Sequence, residues 1–424
     1  MKPKLAIVSL GCDKNRVNTE KMLSQISDLV TFSSSEDAEY VFINTCGFLE
    51  SARQELFEIL DSFRPEQKLI LAGCFWKFAD EGFYARFPNV ISFLKDGDDI
   101  RKIVTDLAGA RYIARPQKQL GNTIFLTPPS YAFLKVSEGC DNHCTFCIIP
   151  QLRGKYHSRK IEEILEDAKV YLERGVKELI LVAQDVGNYG ADLDLALVCL
   201  LREIEKLPVE WIRLLYLYPE RISDELLSFI AKSKKVLPYF DMPLQHAADS
   251  VLRRMGRPYK KAEIVNLLGK IRAKLPEAVI RSTFIVGFPG ETAADFEELK
   301  TFLKSQKLNH VGVFGYSDEE LCSAYKLKDK VEQKTIQKRE KEIMELQKKI
   351  SAEHLAKFVG KEIRVLIDGN PEEGVYIGRN FYFAPEVDGA LYFNSGLQPA
   401  AIGEIVKVQI TEAGEYDLFG EISS

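Results

Sequence analysis

Short apolar runs alternate with longer amphipathic stretches over the first 110 or so residues of the chain. Apolar runs of this length, bounded by polar segments, are typical of buried strands. Strands that alternate with helices form a parallel sheet with helices on both faces. We therefore predict a doubly wound α/β domain over residues 1–112, with strands at 4–10, 40–46, 68–74 and 89–94 and helices that include 51–63 and 98–108.

The same rhythm returns after a polar segment at residues 111–130, whose three prolines and one glycine suit a linker. Six consecutive strand-and-helix units predict a partial TIM-like (βα)6 barrel. The predicted strands lie at residues 131–137, 178–184, 211–218, 238–245, 279–288 and 310–316.

The composition of the last hundred residues changes twice, first to a charged stretch and then to short apolar runs. Residues 326–357 are rich in Lys, Glu and Gln and contain no Gly or Pro, which predicts one long helix that closes a domain at 126–356. Its charges favour a solvated face, with contact to a partner or RNA as the alternative. Short runs broken by Gly and Pro then predict a small β-barrel of about five strands at 358–424.

Composition narrows the class of protein. No run of the 424 residues has the ~18 consecutive apolar residues of a membrane helix. The start of the chain lacks the pattern of a signal peptide, so we expect a cytoplasmic protein. Eight cysteines are too sparse for a disulfide scaffold and indicate metal ligands or catalytic thiols. A net charge of −5 argues against a general nucleic-acid binder.

Three cysteines follow the first predicted barrel strand in the spacing C-x3-C-x2-C, as Cys140, Cys144 and Cys147. Thiolates suit zinc or an iron–sulfur cluster. Zinc normally takes four ligands, and the sequence offers no obvious fourth. A cubane on three thiolates would leave one iron open, at the barrel mouth where active sites lie. A zinc knuckle or buried free thiols remain the alternatives.

Another three cysteines, Cys12, Cys46 and Cys74, lie 34 and 28 residues apart. Each comes at or just past the end of a predicted parallel strand, and such ends line up along one edge of a sheet. The three thiols could therefore meet and hold a second cluster. Spacing alone leaves separate buried thiols as the alternative. Cys199 is interpreted as a core residue, and Cys322 is given no role.

The central triad, with Phe146 just before its last cysteine, resembles the radical S-adenosylmethionine (SAM) superfamily. That resemblance implies that SAM binds the open iron and is cleaved to a 5′-deoxyadenosyl radical. The strings LGCDKNRVNTEKM, NTCGFLESA and AGC resemble the methylthiotransferase family, and this similarity covers essentially the whole chain. It implies a second 4Fe–4S cluster on Cys12, Cys46 and Cys74, and a TRAM domain at the C-terminus.

Further residues are candidates for contact with SAM. Gln184, Asp185 and Gln245 lie at strand ends facing the expected barrel mouth, and capping or core polar roles are their alternatives. Gly287, in FIVGFPGET, is expected to pack against the adenosine unless it only forms a turn. No GK[ST] follows, so a phosphate loop is disfavoured. His246 has the same alternatives as Gln184, namely contact with SAM or a capping or core polar role. Arg153 and Arg159 could each meet a carboxylate, either of SAM or of a target aspartate, or have an ordinary surface role.

Two substrate classes compete within the methylthiotransferase family: an adenosine beside the tRNA anticodon, or an aspartate of the twelfth small-subunit ribosomal protein. The strings SEGCDNHCTFCIIP, LYLYP, YFDMPLQHAADSVLRRMGRP and APEVDG resemble the ribosomal-protein branch. Residues 361–424 hold 4 Lys/Arg and 11 Asp/Glu, and this acidity repels RNA and suits a basic protein.

The family resemblance therefore predicts methylthiolation of that aspartate, with tRNA modification as the alternative. It implies a flavodoxin or ferredoxin as reductant, and we expect no stable nucleic-acid binding and no membrane. Two departures from the family pattern leave fine specificity open: His157-Ser158-Arg159 stands in place of R-S-R, and Leu321-Cys322 in place of Gly-Thr.

Overall fold

The computed structural model describes residues 2–94, 98–107, 124–395 and 400–423. The chain divides into two compact units. One unit holds Met1–Leu126 with Ile148–Lys155, and the other holds Thr127–Cys147 with Tyr156–Ser424. Most of the predicted linker at 111–130 lies outside the described residues.

The first unit is built on a five-stranded parallel sheet of order β2-β1-β3-β4-β5. The four predicted strands are present. The sequence pattern did not predict the edge strand β2, which has only two residues. The elements are β1 (Lys4–Ser9), α1 (Asp13–Ile26), β2 (Thr31–Phe32), β3 (Tyr40–Thr45), α2 (Glu50–Asp61), β4 (Lys68–Gly73), α3 (Glu81–Arg86), β5 (Val90–Leu94) and α4 (Ile100–Leu107). A later helix, α5 (Ile149–Arg153), also belongs to this unit.

Both faces of this sheet are covered, which confirms the doubly wound prediction. Alternate side chains of a strand point to opposite faces. Phe42 and Ile70 accordingly pack in one apolar cluster with residues of α1 and α4. Val41 and Leu71 pack in a second cluster with residues of α2 and α3. The strands carry continuous apolar runs because neither face meets water.

The second unit opens with six parallel strands, as the partial barrel prediction required. They form two three-stranded sheets, β10-β9-β6 and β11-β12-β13, and a bridge pairs Ile212 with Val236 between them. The barrel strands are β6 (Tyr131–Lys135), β9 (Glu178–Val182), β10 (Trp211–Leu214), β11 (Tyr239–Asp241), β12 (Val279–Val286) and β13 (His310–Gly315), and a small ribbon is formed by β7 (Ser137–Glu138) and β8 (His157–Ser158). The helices are α6 (Ile161–Glu173), α7 (Leu197–Ile204), α8 (Asp224–Lys232), α9 (Asp249–Arg254), α10 (Lys261–Lys274) and α11 (Ala293–Gln306).

The predicted long helix is present as α12 (Gln333–Leu355), and it begins seven residues later than the composition suggested. Ser323–Lys326 forms a short 3-10 turn before it. Ile336, Ile343 and Ile350 are buried, and a spacing of seven residues places them on one side of the helix. Arg339 is also buried and pairs with Glu291, so most but not all of the charged residues of α12 lie on the remaining faces.

The C-terminal β-barrel is closed, and its five strands confirm the predicted fold. The order around the barrel is β14-β15-β16-β18-β17. The strands are β14 (Glu362–Glu372), β15 (Val375–Arg379), β16 (Leu391–Asn394), β17 (Ile405–Ala413) and β18 (Leu418–Ile422). No described helix is both long and apolar enough to cross a membrane.

A buried ionic group joins the small barrel to the beginnings of the (βα)6 strands. Glu178, at the start of β9, lies 2.6 Å from Arg213 and 2.7 Å from Arg379. Asp388 accepts a 2.6 Å hydrogen bond from the Tyr239 hydroxyl and lies 3.3 Å from Arg281. Asp388 belongs to APEVDG, one of the strings that resemble the ribosomal-protein branch. In this structure Asp388 connects the C-terminal barrel to Tyr239 and Arg281 of the (βα)6 strands.

Two cysteine triads as candidate metal centres

The loop Cys140–Cys147 leaves the first barrel strand and is fixed by backbone contacts on one side. Thr145 donates its N–H to the Met255 carbonyl at 3.0 Å, and the Ala324 N–H donates to the Thr145 carbonyl at 2.8 Å. A methyl group at Gly256 would lie 2.6 Å from the His143 carbonyl oxygen, so a glycine is needed there. Phe146 packs into an apolar cluster around Phe288. These contacts hold the three cysteines on one short, fixed loop.

One thiol of this loop, Cys144, meets two further side chains. Arg257 donates from Nη1 to Cys144 Sγ at 3.3 Å. The Tyr218 hydroxyl lies 3.5 Å from the same sulfur. The Arg257 guanidinium stacks 4.2 Å above the Tyr218 ring, and burial raises the pKa of the Tyr218 hydroxyl, so the phenol stays neutral. A cation and a neutral donor therefore face this sulfur.

Polar side chains lie beside the loop at the ends of β6 and β9. Glu138 pairs with Lys135 and accepts a 2.7 Å hydrogen bond from Gln184 Nε2. Gln184 Oε1 is buried and meets no hydrogen-bond partner within the described residues. Asp185 Oδ2 accepts from Asn142 at 3.1 Å, and burial raises the pKa of this carboxyl. An unsatisfied buried acceptor suits a ligand with N–H or O–H donors, as SAM has.

Two strand ends carry backbone strain at the same mouth of the barrel. Tyr216 and Gln245 adopt φ values of 60° and 71°. Such values are unfavourable for residues with a side chain and concentrate at functional sites. Val186 donates to the Tyr216 carbonyl at 3.0 Å, and Ile285 donates to the Gln245 carbonyl at 2.8 Å. Neighbouring strands therefore hold both turns in place.

Gly287 and His246 have packing roles in this structure. A methyl group at Gly287 would lie 2.3 Å from Ile336 of α12, and the Gly287 N–H donates to Glu291 at 2.5 Å. Burial raises the pKa of Glu291 to about 7, although Arg339 lies 2.8 Å away. His246 is fully buried, accepts from the Ala248 N–H at 3.0 Å, and burial lowers its pKa to about 3. Its ring is therefore neutral and belongs to the core.

The N-terminal triad is assembled by three strand ends packed unusually close. A methyl group at Gly11 would lie 3.0 Å from Cys46 Cβ and 3.4 Å from its sulfur. One at Gly47 would lie 2.8 Å from the Cys74 carbonyl oxygen. The cysteine-bearing loops thus touch because the residue beside each contact is glycine.

The three thiols differ in exposure. Cys12 is exposed, Cys46 is half-buried and Cys74 is buried. Burial, together with the neighbouring Cys74 and Cys12 thiols, raises the pKa of the Cys46 thiol to about 11. The three sulfurs range from exposed to buried at the carboxyl edge of the sheet, and such soft donors suit an iron–sulfur cluster.

A buried arginine faces the innermost of these sulfurs. Arg153, at the end of α5, donates from Nε to Cys74 Sγ at 3.2 Å and from Nη2 to the Asn15 side-chain oxygen. Arg153 is buried, so the surface role left open for it is wrong, whereas contact with a carboxylate of SAM or of the substrate stays a prediction. Arg159, in contrast, pairs with Asp167 at 2.7 Å.

No three His, Cys, Asp or Glu side chains of the described residues are grouped to hold one metal ion. A cubane makes a different demand, because each of its cysteines binds a separate iron. Both triads offer sulfur donors only, as such a cluster requires.

Comparison with known proteins agrees with this geometry. Residues 4–94 match the model of an uncharacterized protein family, UPF0004, residues 134–303 match the radical SAM superfamily, and residues 359–422 match the TRAM domain. The ribosomal protein uS12 methylthiotransferase RimO of Thermoanaerobacter sp. (strain X514) is 41% identical over 98% of this chain and 99% of its own length. The chain belongs to the RimO family. The RimO of Aquifex aeolicus (strain VF5) is also 41% identical, over 98% of this chain and 96% of its own.

Solved structures support the fold. The radical SAM methyltransferase TsrM of Kitasatospora setae matches with a TM-score of 0.54 at 12% identity, over 89% of this chain and 81% of that one. The cobalamin-dependent radical SAM enzyme OxsB matches with a TM-score of 0.51, over 82% of this chain and 56% of that one. At this identity the likeness concerns the fold alone.

Membership of the RimO family makes the chain a radical SAM methylthiotransferase, a sulfur-transferring enzyme whose cofactors are SAM and two 4Fe–4S clusters. This confirms the predicted family, enzyme class and cofactors. Sequence reasoning did not assign Asn15, Tyr218 or Arg257 a place beside the cysteines, and it named Arg153 without its sulfur partner. Asn15, Tyr218 and Arg257 are signalled only by their presence in the strings LGCDKN, LYLYP and RRMGRP, which resemble those of the family.

Proposed function

We propose that this protein inserts a methylthio group at the β-carbon of one aspartate in ribosomal protein uS12. The observation that carries the proposal is the 41% identity with RimO proteins over 98% of the chain. The two cysteine triads supply what a reaction with two clusters needs. Each triad has three sulfur donors and a polar or charged group beside one sulfur.

The central triad is assigned to the cluster that cleaves SAM. Cys140, Cys144 and Cys147 would hold this cluster, which would supply the electron that cleaves SAM. When bound, this pair of cofactors supplies the radical that removes a hydrogen atom from the substrate. The chain itself holds the loop rigid through Thr145 and places Arg257 against Cys144.

The SAM contacts are assigned to the strand ends beside that loop. Gln184 has an unsatisfied buried oxygen, and Asp185 fixes Asn142 of the cysteine loop. Gln245 brings strained backbone to the same mouth, and strain of this kind concentrates at functional sites. Gly287 acts indirectly, because its close packing on α12 sets the course of the strand end.

The N-terminal triad is assigned to the cluster that handles the inserted sulfur. Cys12, Cys46 and Cys74 lie at the ends of β1, β3 and β4, where ligands of open parallel sheets bind. Cys12 is exposed, so this site has a side open to a small sulfur donor.

The charge of the small barrel favours a protein substrate over tRNA. Residues 361–424 carry a net charge of −7. Asp368 and Asp388 are committed to internal pairs with Arg379 and Arg281. Exposed carboxylates such as Glu372, Glu373 and Glu412 remain, and these would repel phosphates and attract a basic protein. A cytoplasmic location, a flavodoxin or ferredoxin reductant and no stable nucleic-acid binding complete the proposal.

The test is reaction of anaerobically reconstituted enzyme with SAM, a reductant, sulfide and purified uS12. A mass gain equal to SCH3 minus H on one aspartate-containing peptide is expected. A tRNA fraction in a parallel reaction should gain nothing. The same gain on tRNA, with uS12 unchanged, would reject the proposal in favour of the tRNA alternative.

A matched control uses Cys199, one of the two cysteines outside the triads. Cys199→Ala changes a thiol on α7, which lies in neither candidate site, and should leave the product yield unchanged. Cys144→Ala should abolish it.

A further inference from the structure

Arg153 lies where it can act on one candidate cluster ligand. Its side chain is 8% exposed, and Nε donates to Cys74 Sγ at 3.2 Å. Cys74 is itself buried, so little water competes for this contact. A hydrogen bond from a cation to a sulfur in such surroundings is stronger than the same bond at a surface.

The guanidinium is aimed by a second buried residue. Asn15 is 0% exposed and accepts from Arg153 Nη2. The Asn15 Nδ2 donates to the Thr45 backbone carbonyl at 3.0 Å. The Asn15 backbone carbonyl accepts from Asn44 Nδ2 at 2.7 Å. Asn15 is therefore fixed to the strand ends that carry the cysteines. Arg153 cannot turn away from Cys74 without losing this bond.

The main chain also holds the arginine in place. Arg153 ends α5, and Trp76 donates from Nε1 to the Leu152 carbonyl at 3.3 Å. Trp76 lies two residues after Cys74, in the 3-10 turn Cys74–Phe78. The segment that carries the arginine and the segment that carries the cysteine are thus bonded to each other.

We propose that Arg153 is a positioning residue that fixes the Cys74 thiolate and raises the reduction potential of the N-terminal cluster. The inference rests on the proposed assignment of Cys74 as a cluster ligand. Reduction adds negative charge that spreads onto the sulfurs, and an N–H donor with positive charge stabilises that state. Removing the donor therefore makes the cluster harder to reduce.

The test isolates one cluster in the full-length chain. In a parent with Cys140, Cys144 and Cys147 all changed to Ala, any remaining cluster belongs to the N-terminal triad. Iron and sulfide content, and a redox titration followed by electron paramagnetic resonance, are measured on this parent. The same measurements are made with Arg153→Met, Arg153→Gln or Arg153→Lys added.

The expected result is a more negative midpoint potential in Arg153→Met at unchanged iron content. Arg153→Gln, which keeps an N–H donor, and Arg153→Lys, which keeps the charge, should each give a smaller shift. Arg86→Met is the matched control, because Arg86 pairs with exposed Asp61 at 2.7 Å in the same unit. It should leave the potential unchanged.

Failures of the two proposals are distinguishable. If the parent holds no iron, the assignment of Cys12, Cys46 and Cys74 is wrong. If the parent holds a full cluster and all three Arg153 variants keep its potential, the role of Arg153 is overturned. Equal losses of iron and melting temperature in all three variants would also overturn it, because they would show that Arg153 serves only the fold.

Discussion

The two cysteine triads reach similar chemistry by opposite routes. Cys140, Cys144 and Cys147 lie within eight residues of one loop, so the local chain defines their geometry. The N-terminal thiols lie 34 and 28 residues apart and meet only because three parallel strands end at one edge. The first site depends on a loop, and the second depends on the packing of a whole sheet.

The two triads nevertheless share one feature, a hydrogen bond from an arginine to one sulfur. In each, one sulfur accepts an N–H from a buried arginine, at 3.3 Å for Cys144 and 3.2 Å for Cys74. The arginine of the central site is also stacked on Tyr218, whereas that of the N-terminal site is bonded to Asn15. Sites that handle a charged cluster in a buried setting need such partners, whichever way the cysteines are brought together.

The largest effect is expected from breaking the central triad. Cys144→Ala removes a proposed ligand of the cluster that cleaves SAM, so 5′-deoxyadenosine formation should fall by roughly a thousandfold or more. Chromatography of quenched anaerobic reactions measures it. Cys199→Ala, outside both triads, should retain full cleavage. Substantial cleavage by the Cys144 variant would contradict the assignment.

Breaking the N-terminal triad should separate the two halves of the reaction. With Cys12, Cys46 and Cys74 all changed to Ala, the protein should lose about half of its iron because one of two cubanes is absent. Cleavage of SAM should continue, and methylthiolation of uS12 should stop. Iron analysis and mass spectrometry of the same sample check this, and unchanged iron content would count against the assignment.

Part of the fold and of the two cysteine sites could be predicted from the sequence. The C-x3-C-x2-C spacing indicated the central site because its three cysteines lie close together in the sequence. The N-terminal triad could be predicted only through the fold, from the position of each cysteine at the end of an apolar run. The apolar runs also predicted the doubly wound sheet and the (βα)6 barrel, although not the two-residue strand at Thr31–Phe32.

The partners of the sulfurs could not be predicted in the same way. Arg153 lies 79 residues from Cys74, and Arg257 lies 113 from Cys144. No periodicity connects residues so far apart, and an isolated arginine suits many roles. The string APEVDG was informative about the family, but its Asp388 forms buried contacts with Tyr239 and Arg281 that only the three-dimensional structure shows.

A smaller effect should follow from loosening the strand ends of the N-terminal site. A methyl group at Gly73, which has φ 95°, would lie 2.2 Å from the Asn44 side-chain oxygen and 2.4 Å from the Thr45 carbonyl. Gly73→Ala should therefore cost about 3 kcal/mol of unfolding free energy. It should also lower the iron content of the N-terminal cluster.

Gly175 provides the control for that variant. It has a similar φ of 92°, and nothing lies within 4 Å of a methyl group added there. Gly175→Ala should cost about 1 kcal/mol, from backbone strain alone. Thermal unfolding and iron analysis of both variants measure the difference. Equal costs and unchanged iron would show that close packing of the strand ends does not matter for the triad.

The smallest effect is expected from Tyr218→Phe at the central site. The variant removes one hydroxyl 3.5 Å from Cys144 Sγ and keeps the ring that stacks 4.2 Å from the Arg257 guanidinium. A single weak hydrogen bond is worth about 1 kcal/mol, so SAM cleavage should fall by no more than roughly fivefold, at full iron content. Loss of the cluster in this variant would mean that the tyrosine, and not the arginine, is the main partner of the Cys144 sulfur. The likeness between the two triads would then fail, because only the N-terminal site would depend on an arginine.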